Sequence, residues 1–246
     1  MTTALSLPLL AFDTSTPTAR VALLSADGTC LAAREKTAAR HSANLLALCD
    51  EVLREGKIRV GDLGSIACGA GPGSFTGLRV GLAVAKGLAL PTGLPLLLVS
   101  SLDTLACDLD VRPAPLLLPC IDAGKGQIYA RIYRGTASPG EALPRPLGEN
   151  DWVLAPAVLC DLVRDESQGQ SIVMGGTGVD RYLDVFRSAF PAEQILVSVP
   201  GPSATSIGRL AILRIQREEF DDLAAAVPRY GRPPDITRSK KPLLAG

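Results

Sequence analysis

The sequence predicts an α/β protein built as two tandem lobes, each with the element order βββαβαβα. Three observations carry that expectation. Short apolar runs of strand length alternate with amphipathic segments of helix length. The order breaks at Pro113 and Pro115 and then begins again. In both halves the first strand ends on an aspartate, Asp13 and Asp122.

Leu7–Phe12 reads as a buried strand ending at Asp13, and Ala19–Leu24 with Cys30–Glu35 as a hairpin turned at Asp27-Gly28. Ser42–Glu55 has helical spacing, with Leu45, Leu48, Cys49, Val52 and Leu53 on one face. Ser42 suits its N-cap and Gly56 its stop. A strand at 65–69, a helix over 74–90, a strand at 96–99 and a short helix near 101–108 follow. In the second half Leu116–Ile121 and Gln127–Tyr133 are strands, and a third lies within 144–154. Pro156 opens a helix to about Asp165. A strand at 171–174, a helix near 179–189, a strand at 195–199 and a helix at 203–220 complete the order. The expected boundaries are an N-terminal lobe over 1–110, joined by the helix 203–220, a C-terminal lobe over 111–202, and a mobile tail over 228–246. Two such units in tandem are the signature of the actin, sugar-kinase and Hsp70-ATPase architecture. There the two strand-end aspartates face each other across a cleft for nucleotide phosphates.

The helix at 74–90 is unusual. Gly73, Gly77, Gly81, Ala85 and Ala89 recur at every fourth position, so from Gly77 onward they form one row without side-chain bulk. Gly77, Gly81 and Gly87 together cost roughly 3 kcal/mol relative to alanine. Something must therefore pack closely on the row, either the chain's own core or another protein. The helix is roughly 24 Å long. Beside the helix 42–55 it would give two members of a four-helix bundle, completed by a partner or a second copy.

Composition narrows the function. In 246 residues, 25 basic side chains balance 25 acidic ones, which argues against a surface that grips nucleic acid electrostatically. Basic charge gathers only at the end, where Arg229, Arg232, Arg238, Lys240 and Lys241 face Asp235 alone. Six cysteines without metal or redox spacing suit buried thiols in a reducing cytosol. No signal segment or membrane-spanning run is expected, so the location expected is cytoplasmic. His41 is the single histidine and either contacts a partner or flanks its helix; a histidine pair for a metal is impossible. The Gly69–Gly73 turn lacks the Gly-Lys-Ser/Thr ending of a phosphate loop. In Asp13-Thr14-Ser15, serine stands where close backbone approach to phosphate favours glycine. Asp122-Ala123-Gly124 keeps its glycine. Asp13 and Asp122 could hold magnesium through waters. Alternatively, Asp13 closes its own turn by accepting backbone hydrogen bonds.

Four stretches carry a family resemblance: Leu10–Thr16, His41–Leu46, the glycine-rich Gly69–Gly87, and Ile121–Tyr129. Together they resemble the TsaB (YeaZ) family, the dimerization subunit of the bacterial tRNA threonylcarbamoyladenosine machinery. Val227–Pro233 weakly resembles that family's C-terminal segment. The resemblance implies a non-catalytic scaffold similar in fold to its partner TsaD, which carries the metal and transfers threonylcarbamoyl to N6 of adenosine 37 in tRNAs reading ANN codons. It implies docking with TsaD through helices 42–55 and 74–90, with TsaE handling ATP, tRNA met only through the complex, and a homodimer when alone. No cofactor or metal of its own is implied. The residues assigned to the interface are His41, Ser42, Leu45, Leu48, Cys49, Val52, Gly73, Gly77, Gly81, Ala85 and Ala89. Those assigned to a degenerate nucleotide cleft are Asp13, Thr14, Ser15, Asp122 and Gly124. The competing readings are a stand-alone ATPase or phosphotransferase of the same fold and a free-standing RNA binder using the basic tail.

Overall fold

A computed structural model describes residues 7–37, 41–110, 116–136, 143–149, 151–190 and 195–231, leaving the side chains of 41–44 and 195–197 outside the description. The first half runs β1 (Leu9–Asp13), β2 (Thr18–Leu24), β3 (Cys30–Thr37), α1 (His41–Glu55), β4 (Ser65–Gly71), α2 (Phe75–Thr92), β5 (Leu96–Ser100) and α3 (Ser101–Leu109). The second runs β6 (Leu116–Gly124), β7 (Gln127–Ala130), β8 (Tyr133–Arg134), β9 (Arg145–Pro146), β10 (Trp152–Leu154), α4 (Pro156–Ser167), β11 (Ile172–Gly175), α5 (Thr177–Arg181), α6 (Leu183–Ala189), β12 (Ile195–Val197) and α7 (Ala204–Gln216).

The two sheets repeat one topology. The first has the order β3-β2-β1-β4-β5 and the second β10-β7-β6-β11-β12, with β8 pairing β6 and β9. In each, the leading strand runs antiparallel to its hairpin partner and parallel to the next crossover strand. β1 is apolar without alternation because both its faces are covered. Leu10 and Phe12 pack toward α1 and α2, while Leu9 and Ala11 meet α7. The α7 stripe Ala204, Ile207, Ala211, Ile212 and Ile215 crosses back onto the first sheet. Gly208 permits the approach, since a Cβ there would lie 2.4 Å from Leu24 Cδ1.

Between the sheets sits α3. Its Leu102, Leu105, Ala106 and Leu109 share a cluster with Leu117, Ile121, Tyr129, Tyr133 and Val173 of the second sheet. Tyr133 Oη donates to Asp103 Oδ1 at 2.6 Å. On its other side, Asp108 caps α7 by accepting from Ser203 N, Ser203 Oγ and Ser206 Oγ. The first lobe therefore does not end cleanly at 110.

Several local expectations change. Gly56 is not the left-handed stop of α1; Lys57 takes that conformation (φ 55°). Gly56 serves packing instead, because a Cβ would fall 2.2 Å from Leu23 Cδ2. The helix expected near 179–189 divides into α5 and α6 at Tyr182, whose φ of −117° interrupts the spiral. The strand expected over 127–133 is interrupted after Ala130 and divides into β7 and β8, which pair antiparallel with successive stretches of β6 in one register. Cys49, Cys68, Cys120 and Cys160 are buried free thiols, as their apolar settings suggest.

The chain beyond α7 is held further than expected. Asp221 bridges to Leu96 on the outer edge of β5, where its Oδ2 accepts from Leu98 N (2.7 Å) and Arg214 Nη1 (2.9 Å). Ala226 is buried against the first core. Arg229 N donates to Ala70 O at 2.7 Å, and the Tyr230 ring lies 4.7 Å from that of Phe75. The tail expected to be mobile from 228 is thus fixed through 231, while 232–246 fall outside the described residues. Asp221→Ala leaves the Leu98 amide and a half-buried guanidinium without their acceptor. It should cost about 2 kcal/mol in urea unfolding and speed hydrogen exchange at the Leu98 amide.

Candidate functional site

The row Gly73, Gly77, Gly81, Ala85 and Ala89 faces inward. Ser74 caps α2 by accepting from Gly77 N, which sets the first turn of the helix directly on the loop after β1. A Cβ on Gly77 would lie 1.9 Å from Thr14 O, one on Gly81 2.4 Å from Thr14 Oγ1, and one on Gly73 2.5 Å from Ser15 O. Thr14 Oγ1 donates to Gly77 O at 2.8 Å. Ala85 and Ala89 are fully buried in the first core. This corrects the interface expectation: the missing side chains make room for the chain's own β1 turn. Leu45, Leu48, Cys49 and Val52 are corrected likewise, being core residues beneath α1. The side chains of His41 and Ser42 lie outside the described residues.

The opposite side of α2 was missed. Thr76, Val80, Ala83, Gly87 and Leu90 follow one another at spacings of four, three, four and three, the seam of a heptad pattern. Thr76, Ala83, Gly87 and Leu90 are exposed and Val80 is partly so. Leu90 is 73% exposed, and Leu46 on the neighbouring α1 is 52% exposed. A Cβ on Gly87 would meet nothing within 4 Å. The signal was present in the sequence, one helical face away from the glycine row.

Between the lobes lies a cleft of about 800 Å³, walled by Ser15, Phe75, Asp122, Gly124, Arg181 and Tyr230 among others. Asp13 and Thr14 are not exposed to it. Asp13 is 0% exposed, and its Oδ1 accepts from Ser15 N (2.9 Å) and Ser15 Oγ (2.7 Å), so it closes its own turn. Its Oδ2 lies against Gly69, where a Cβ would sit 2.1 Å away, and has no hydrogen-bond partner among the described residues. Burial pushes the carboxyl up to about 6, against the pull of the Ser15 hydrogen bonds and the Arg20 charge. Asp122 remains at the cleft, but its Oδ2 is bound by Arg181 Nη1 at 2.7 Å and its Oδ1 accepts from Gly124 N. The expected pair of facing aspartates is therefore corrected. One is sealed and the other is neutralised, so these residues do not fit a magnesium–nucleotide between them. Among the described residues, no three His, Cys, Asp or Glu side chains gather as a metal site. Phe75, Arg79 and Tyr230 were not anticipated. Arg79 lies 3.9 Å over the Phe75 ring and donates to Tyr230 Oη at 3.0 Å, tying together two residues that wall the cleft.

The profile of the tRNA N6-adenosine threonylcarbamoyltransferase (TsaD) family matches residues 34–143. The tRNA threonylcarbamoyladenosine biosynthesis protein TsaB of Escherichia coli K12 is 38% identical over 127 residues, 51% of this chain and 54% of that protein. A crystal structure from Pseudomonas aeruginosa, described as an uncharacterized protein with similarity to peptidase YeaZ, superposes with TM-score 0.78. It is 30% identical and the match covers 92% of this chain and 99% of that one. The chain belongs to the TsaB (YeaZ) family. This family member spans about half the length of the curated TsaB proteins it matches. Its two-lobed fold is that of the actin, sugar-kinase and Hsp70-ATPase class. The activator of 2-hydroxyisocaproyl-CoA dehydratase from Clostridium difficile shares it at TM-score 0.50 and 9% identity. No described helix is long and apolar enough to cross a membrane.

Proposed function

We propose that this TsaB-family chain is a non-catalytic subunit that docks TsaD through the outer face of α1 and α2. In that arrangement it supports threonylcarbamoylation of adenosine 37 in tRNAs reading ANN codons. ATP is handled by TsaE and the metal by TsaD, so the chain brings no cofactor, and the assembly works in the cytoplasm. The observation that carries the reading is the heptad-spaced seam of small and apolar residues on α2. It is long enough for two helices to pair at close range, and small side chains permit that approach. Alone, the same face would pair with a second copy. The stand-alone ATPase or phosphotransferase gains no support, because it needs Asp13 beside a metal–nucleotide and that carboxylate is enclosed.

The test is Ala83→Arg together with Gly87→Arg, two exposed positions that leave the interior untouched. The variant should unfold at a midpoint no lower than the wild type's, lose at least about tenfold in affinity for TsaD, and fail to support tRNA modification in a reconstitution with TsaD, TsaE and the threonylcarbamoyl donor. Undiminished TsaD binding by this variant would remove the docking face from the account.

A further inference from the structure

A second depression, about 1030 Å³, runs between α7 of the first lobe and the β8–β9 ladder of the second. Arg145, Arg209 and Arg217 line it. Arg134 stands directly opposite Arg145 in the antiparallel β8–β9 pairing, so both side chains leave the same face. All four arginines are exposed, and none has a carboxylate partner among the described residues. Arg20, Arg34, Arg54, Arg59, Arg131, Arg164, Arg181 and Arg214 each pair with an acid. Outside the groove Arg79 lies on the Phe75 ring and the charge of Arg229 acts on Asp151, while the exposed Arg187 is likewise without a carboxylate partner among the described residues but stands by itself. Like charges placed opposite each other on a ladder oppose folding, so folding gives no reason for Arg134 to face Arg145. Two acids also line the groove, and the three lining arginines outnumber the one that is exposed, Asp27. Asp27 accepts from Ser25 Oγ and Thr29 N within its own turn, and Asp110 is buried and holds Thr136.

We propose that this groove binds the phosphodiester backbone of RNA, and specifically the tRNA substrate. Arg209 and Arg217 are eight residues apart, about 12 Å along the helix axis, and Arg134 and Arg145 approach from the other lobe. That spread exceeds what one small anion can bridge and suits a string of phosphates. The stem of Arg209 lies beside the hairpin turn, its Cγ 3.8 Å from where a Cβ on Gly28 would stand. A chain of zero net charge thus carries a local cationic track, on a side of the molecule separate from the seam on α2. The inference rests on the tRNA-modification reading above.

The test uses the full chain, alone and with TsaD, titrated against a fluorescent in vitro-transcribed ANN-reading tRNA over a salt series. Arg145→Gln/Arg209→Gln/Arg217→Gln should weaken binding at least about tenfold and lower the slope of log affinity on log salt by about 2. TsaD co-purification should be unchanged. Arg59→Gln/Arg164→Gln/Arg187→Gln removes the same charge from exposed positions away from the groove and from α1 and α2, and should bind as the wild type does. Equal tRNA affinity and slope in the groove variant and the wild type overturn the proposal. Equal losses in both variants overturn it too, because net charge alone would then explain the effect. Groove-dependent binding of polyglutamate in place of tRNA assigns the track to an acidic protein instead. Should the chain fail to co-purify with TsaD, the function reading falls, and the titration on the chain alone still decides the groove.

Discussion

Gly77→Ala should destabilise the protein by about 3 kcal/mol, the upper end of the usual cost of overpacking. The added methyl would fall 1.9 Å from a backbone oxygen, Thr14 O, which has no rotamer with which to yield. Either the turn after β1 shifts, breaking the Thr14–Gly77 hydrogen bond, or α2 lifts from the sheet. Gly87→Ala is the matched control on the same helix. It faces open space and should stabilise the isolated chain by about 1 kcal/mol, the difference in helix propensity. Urea unfolding of the two variants decides the matter. If both shift the midpoint in the same direction, the row is not enclosed as described. Gly81→Leu should destabilise likewise, since even its Cβ would lie 2.4 Å from Thr14 Oγ1.

The second large effect concerns pH. Asp13 is held at about 6 by burial, against an ordinary value of 3.8. Folding therefore favours the protonated form. The stability this confers is complete below about 4 and is lost as pH rises through about 6. The gap corresponds to about 3 kcal/mol. Asp13→Asn keeps an oxygen to accept from Ser15 N and Ser15 Oγ and removes the buried charge. Its stability relative to wild type should therefore rise by about 3 kcal/mol between pH 4 and pH 7.5. Parallel stability curves for the two proteins would show that Asp13 does not titrate in this interval.

The elements were legible wherever one periodicity governed a segment. β1, α1, α2 and α7 announced themselves by apolar runs or stripes, and the repeat of order predicted both sheets. What the sequence could not settle was direction. A row at every fourth position fixes which residues share a face, yet Thr14, 63 residues before Gly77, decides that the face is turned inward. The same holds at Asp13, whose enclosure depends on Gly69 in the neighbouring strand β4. The segment 217–231 was illegible for another reason. Its attachments are single side chains and backbone groups, Asp221, Ala226, Arg229 and Tyr230, that follow no period. The division at Tyr182 likewise has no glycine or proline to mark it.

Helix α3 has a mechanical consequence. Its leucines are immersed in the second sheet, while Asp108 fastens the opposite flank to α7. Swinging the halves apart like a clamshell would wet that leucine layer, and each such side chain loses about 2 kcal/mol when it meets water. The molecule is built more as a strut than as a jaw, because α3 ties the two halves together and their separation is opposed by that burial.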